Sequence, residues 1–466
     1  SVATGGCLNG ATVLVSGGGT VNVDLGKIAT NALVLVAGLP NDVGYDTTAN
    51  NFTVSGFETI NPNAALNVTG SLPAGSSFGL ASGLASGGDI TTSGTVDVTN
   101  AAGGATAGGT LTNNGTLTWG LAGSSTPGDV VNNGTINLTG TPDIGGSLTN
   151  YGQITGAGHV ILASGVDNSG SIDVNIIQST GDFTNSGEIT VGTAGPYPAA
   201  ITVIGGNLSN SGQLASAGGV SVTGGDFSNT GAMTLSGTGN VTVMNGSASN
   251  SGQLSVGGGI LQTMSDDTAT GYSKGADYSI TNTGTITGGN SLYLNANDDY
   301  ENGRGGTAAN DSTGSVSSTG VLQVGAAGSL YVEAHNDANL GGSVQVYNGS
   351  KYVATSAANP LGYLEVNAAD WDTSGAFETT GVATLATDVT LNSGAWLGGY
   401  QINLMSNVST VDSAGNPTGY IDIVGGAAQD SGYAVRVASG KTITADAIHV
   451  DGDQAGDNPN VILQGT

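Results

Sequence analysis

The residues of this chain best suited to chemistry are its clustered acids. Asp451, Asp453 and Asp457, in DGDQAGDNPN, stand at offsets 0, 2 and 6, and Gly456 allows a tight turn between them. Asp298, Asp299 and Glu301 form a second group within the expected loop NANDDYENGRGGTAANDS. Carboxylate oxygens on a bent loop are the hard ligands that Ca2+ takes, so Ca2+ is the one cofactor the sequence suggests. Neither group follows the helix-flanked calcium loop, and the calcium β-roll repeat is absent. Solvated loop acids are the open alternative.

Catalysis has less to work with. Glycan-cleaving chemistry needs paired carboxylates, or a base beside a carboxylate cluster. His159, His335 and His449 lie far apart in sequence, and Asp370 with Asp372 beside Trp371 reads as surface structure. No catalytic residue is assigned, and an enzyme is not expected. Rings are the other resource. Trp119, Trp371 and Trp396, with Tyr293, Tyr300, Tyr331, Tyr347, Tyr352 and Tyr363, could present faces to a glycan. The tyrosines concentrate in a loop-rich zone, where an adhesive face is expected.

What must position such residues is a repeat. A phrase made of a large apolar residue, a polar residue, Asn, a small residue, Gly, a polar residue and a large apolar residue returns nine times. It reads LTNNGTL from Leu111, VVNNGTI from Val130, LTNYGQI from Leu148, VDNSGSI from Val166 and FTNSGEI from Phe183. It continues in LSNSGQL from Leu208, FSNTGAM from Phe227, ASNSGQL from Ala248 and ITNTGTI from Ile280. Looser versions follow around Gly314, Gly320, Gly375 and Gly394. From Gly115 to Gly187 the phrase glycines are 19, 18, 18 and 17 residues apart. A period near ~20 residues is the mark of a stacked solenoid. Such a coil is too short for two helices and suits three short strands.

The phrase reads as a corner. Its apolar ends turn inward, Asn is suited to a left-handed turn, and Gly accepts positive φ without a steric penalty. One corner per coil would stack Asn113, Asn132, Asn150, Asn168, Asn185, Asn210, Asn229, Asn250 and Asn282 at about the 4.8 Å strand spacing. Amides at that distance can hydrogen-bond along the stack. Val131 to Leu138 and Ile172 to Ile177 are expected to line the core.

Composition agrees with this reading. The chain has 83 Gly among 466 residues and only 9% charged residues, a turn-and-strand vocabulary with few helix formers. Periodic apolar positions argue for order in spite of the glycine. The formal charge of −28, from 34 acidic against 6 basic residues, argues against nucleic acid and anionic membrane surfaces as partners. No apolar run approaches the roughly 18 residues of a membrane span, so direct membrane insertion is not expected. Cys7 is the single cysteine, so no internal disulfide framework exists. The start at Ser1 suits a mature exported chain.

Gly-rich, Lys-poor coils with an N-x-G phrase resemble bacterial autotransporter passengers and the repeats of filamentous haemagglutinin. GFETINPNAALNVTG, from Gly56 to Gly70, is similar to the passenger pattern of a Phe-Glu-Thr strand, a small turn and a second strand. Two departures stand out: no C-terminal barrel segment is recognisable, and of a two-partner secretion domain only an isolated NPN at Asn61. The resemblance implies an all-β, right-handed parallel β-helix, exported by a Gram-negative cell to its surface. The expected layout is a cap and first coils over residues 1–85, regular coils over 86–290, and a continuing solenoid with loop insertions and C-terminal capping or assembly strands over 291–466. The expected function is structural: a subunit that assembles with copies of itself into an extracellular fibre or layer. The alternative is a monomeric adhesin passenger that binds glycans or neighbouring surfaces.

Overall fold

The computed structural model describes residues 110–119, 128–192, 200–265, 278–299, 314–334, 337–368, 382–399, 401–425 and 435–452, and short strands outside these ranges from Thr20–Asp24 to Val461–Leu463. Every regular element among the described residues is a strand. The chain forms two compact units, residues 1–204 with 212–214, and residues 205–211 with 215–466. Each is a parallel β-helix, that is, a β-solenoid.

In the first unit, the strands that lead into the N-x-G corner stack in parallel and in register. Leu111–Asn113 pairs with Val130–Asn132, and the series continues through Ser147–Asn150, Gly165–Asn168 and Phe183–Asn185. The strands that leave the corner stack likewise, from Thr116–Trp119 through Thr135–Leu138 to Glu188–Val191. Ser171–Ser179 runs on into a third side, where its last residues pair with Ile201–Ile204. Nearer the N-terminus, Thr20–Asp24 stacks in parallel on Ala65–Thr69, while Asp42–Asp46 and Asn51–Ser55 pair antiparallel.

The second unit repeats the plan with three strands per coil. One coil consists of Phe227–Asn229 before the corner, Ala232–Leu235 after it, and Val241–Met244 as the return strand; each pairs in parallel with its counterpart in the next coil. Alternation decides which side chains point inward. Phe227, Met233, Leu235, Val241 and Val243 are each no more than 1% exposed. Burying side chains of this kind contributes about 1.5–3 kcal/mol each. Among the described residues Ser343–Asn348 stacks in parallel on Val321–Val324 and then runs on into an antiparallel hairpin with Lys351–Ala354.

Two details of the expected corner are corrected. Neither the Asn nor the Gly of the phrase has positive φ. Left-handed positions lie instead at other turns, among them Gly224 (φ 77) and Asn245 (φ 56), which follow the return strands Val220–Thr223 and Val241–Met244, and Gly237 (φ 62) and Gly259 (φ 78), which precede Val241–Met244 and Ile260–Ser265. Phrase glycines are needed for closeness: a β-carbon on Gly134, Gly152, Gly170 or Gly187 would fall under 3.0 Å from the carbonyl oxygen of the phrase glycine one coil earlier. The second correction concerns Val131, which is half-buried on the outer side, while Val130, Ile136 and Leu138 fill the core.

Candidate functional site

The corner is where the most restricted residues gather. Asn113 Nδ2 donates to Asn132 Oδ1 at 2.8 Å, Asn132 to Asn150 at 2.7 Å, Asn150 to Asn168 at 2.7 Å and Asn168 to Asn185 at 2.8 Å. In the second unit Asn210 donates to Asn229 at 2.8 Å, Asn229 to Asn250 at 2.8 Å and Asn250 to Asn282 at 2.9 Å. All nine are 2% exposed or less. Each amide points its donor toward the following coil, so the bond dipoles align head to tail and reinforce one another. The backbone is satisfied as well: the Asn113 carbonyl accepts the N–H groups of Asn133 and Gly134, at 2.7 and 3.1 Å.

The second unit also shows how such a ladder ends. Asn282 Nδ2 donates to Ser318 Oγ at 3.1 Å, and the register then places Leu340, Leu385, Leu404 and Val437 in the same column. A hydroxyl can accept the last amide hydrogen without presenting a second amide donor to the leucine beyond it. The looser phrase around Gly320 is therefore a true corner, with Ser in the Asn position. That around Gly394 is not: Gly394, at φ 96, precedes Ala395–Gly399, a return strand. Gly375 lies outside the described residues.

The corner spends its polar groups on cohesion, so the outer face of the return strands in the second unit is the better candidate for contact with other molecules. Inward residues there are Leu292, Leu330, Leu364, Ala395 and Ile421, all 0% exposed. Outward, the register aligns Tyr293, Tyr331, Glu365, Trp396, Asp422 and His449 in one column. The Tyr293 and Tyr331 rings meet edge to face with centroids 6.1 Å apart, and Tyr331 meets Tyr363 at 5.6 Å. Trp396 lies over Gly398, where a β-carbon would collide with the indole. Tyr420 and His449 stack at 5.6 Å with 20° between their planes.

Acids are interleaved with these rings. The Tyr293 hydroxyl donates to Glu333 Oε2, and Asn295 Nδ2 donates to the Tyr293 hydroxyl at 3.2 Å. His449 Nδ1 is 2.8 Å from Asp422 Oδ1. Partial burial, and then the negative field of Glu365, Tyr331, Asp422 and Tyr420, push the Tyr363 phenol up to about 12. On the neighbouring hairpin Tyr347 and Tyr352 pair at 5.4 Å, and burial raises the Tyr352 phenol, assisted by Tyr347.

Other residues singled out from the sequence are placed as follows. Asp298 and Asp299 close the strand Ser291–Asp299, so the start of the expected loop is strand, and Asp451 lies in Ala447–Gly452. Glu301, Asp453 and Asp457 lie outside the described residues, as do Cys7, His335, Tyr300, Asp370, Trp371 and Asp372. Among the described residues no three His, Cys, Asp or Glu side chains come together as metal ligands. A hollow of about 270 Å³ in the first unit has Asp143 as its one titratable lining residue, which provides no acid–base pair. Trp119 is core rather than ligand surface, at 1% exposure. His449 is isolated along the sequence, and only the coil register reveals Asp422 and Tyr420 beside it. The chain matches no protein-family model, no curated protein and no solved structure.

Proposed function

We propose that this protein is a structural β-solenoid, exported by a Gram-negative bacterium, that assembles with copies of itself into an extracellular fibre or layer. One observation carries the reading: the residues whose identity is most restricted, the corner Asn and Gly, are spent on joining coil to coil and not on forming a pocket. A chain that invests its repeated residues in cohesion is organised to be a long-lived scaffold. The export and surface location rest on the resemblance of the N-x-G coils to autotransporter and haemagglutinin repeats. The acidic charge suits assembly whose strength depends on screening or bridging cations. Parallel stacking also supplies a means of assembly, because the open edge of a solenoid coil is a template for a further coil.

Negative-stain imaging of the purified chain across a concentration series tests this. Filaments or sheets are expected, and deletion of residues 460–466, which include the strand Val461–Leu463, is expected to shorten or abolish them. Monomers at every concentration would overturn the assembly reading.

A further inference from the structure

The outer face of the return strands in the second unit carries a feature that cohesion does not require. A solenoid needs its inward residues, but outward positions can be Ser, Thr or Asn, as many are on the strands around the corner, such as Thr112, Asn137, Thr149 and Thr184. Here they are rings and acids instead: Tyr293, Tyr331 and Trp396 in the register column, Tyr363 against Tyr331, and the exposed Tyr420 stacked on His449. Tyr420 is 41% exposed, and the His449 side chain is 57% exposed.

We infer that this face, built on Tyr331, Trp396 and Tyr420 with Glu365 and Asp422 between them, is a binding strip for an uncharged pyranose polysaccharide laid along the coils. Aromatic faces cover the C–H faces of pyranose rings and remove apolar surface from water. Carboxylates and ring hydroxyls beside them accept and donate hydrogen bonds to sugar hydroxyls, which fixes orientation. Side chains that recur along successive coils suit a polymer better than a compact ligand. Charge narrows the class. Glu333, Glu365 and Asp422 repel uronates and sulfated glycans, and the chain as a whole carries −28. Glu333 is engaged by the Tyr293 hydroxyl and Asp422 by His449. That leaves the strip better matched to hydroxyls than to the guanidinium groups of a basic peptide. The inference stands whether or not the protein assembles.

Affinity electrophoresis of the full chain in gels containing hydroxyethylcellulose or mixed-linkage β-glucan tests it, with alginate and poly-arginine as alternative probes. Retardation by a neutral glucan is expected, unchanged in about 1 M NaCl, because stacking is not screened. Trp396→Ala should weaken it about thirtyfold, the scale of a central aromatic anchor, and Glu365→Lys about tenfold, the scale of a lost hydrogen bond to a charged group, with unfolding temperatures checked for each variant. Tyr151→Ala, an exposed ring in the first unit, should leave it unchanged. No retardation by either glucan, retardation by Trp396→Ala and Glu365→Lys equal to that of the parent, or salt-sensitive binding to poly-arginine alone would each overturn the inference.

Discussion

Gly134 sits so close to Gly115, one coil earlier, that a β-carbon on it would come under 3.0 Å from the Gly115 carbonyl oxygen. That oxygen is held in place because it accepts the Thr135 N–H at 2.8 Å. The corner glycine is thus a spacing requirement between coils, and the same contact recurs at Gly152 against Gly134.

Gly152→Ala should therefore cost about 3 kcal/mol, the upper end for overpacking, since its neighbour is backbone and cannot swing aside. Gly349→Ala, at φ 66 with nothing within 4 Å, should cost only about 1 kcal/mol of left-handed strain. Thermal unfolding of both variants checks the ranking. A Gly152→Ala protein as stable as the parent would refute the close approach.

The Asn ladder predicts a graded response. Asn150→Ala removes the ladder acceptor of Asn132, whose amide keeps the Gln153 carbonyl at 3.0 Å, and the donor to both Asn168 Oδ1 and the Ser171 carbonyl, at about 1–3 kcal/mol for each buried group that loses a partner. Ser318→Ala affects one such group, the Asn282 amide, which keeps a longer bond to the Val321 carbonyl at 3.4 Å. Denaturant unfolding should rank Asn150→Ala as the more damaging, and the reverse order would contradict the directional ladder.

Ala327 holds φ 52, a conformation that a β-carbon disfavours. Ala327→Gly should relieve that strain and raise stability by up to about 1 kcal/mol, after allowing for the greater unfolded-state freedom of glycine. A lower unfolding temperature would show that the turn is not strained.

Alkaline pH should loosen the aromatic face. Tyr363 ionises at about 12 in the folded chain, against an ordinary tyrosine value of 10.0. A group whose folded value is raised contributes stability that is present below the unfolded value and is lost as pH rises through the folded one. Stability should thus fall between about pH 10 and 12, and Tyr363→Phe should remove part of that fall. Melting temperatures across this range, with tyrosinate absorbance, check both statements. Identical profiles for parent and variant would remove Tyr363 as a cause.

The amino-acid sequence by itself determined the coil: three short strands, apolar residues such as Leu111 and Leu117 turned inward, and an Asn that bonds its counterpart one period on. All of this lies within a seven-residue phrase and its repetition, so local chemistry suffices to read it. Only the tertiary structure decided which corner needs positive φ, because closeness between stacked coils, and not backbone strain, selects glycine at positions such as Gly134. It also decided which outward residues become neighbours. Tyr331 and Trp396, or Asp422 and His449, are separated in sequence by turns and insertions of unequal length, yet coil stacking returns each pair to one face, since the fixed spacing of hydrogen-bonded strands overrides the variable length of chain between them.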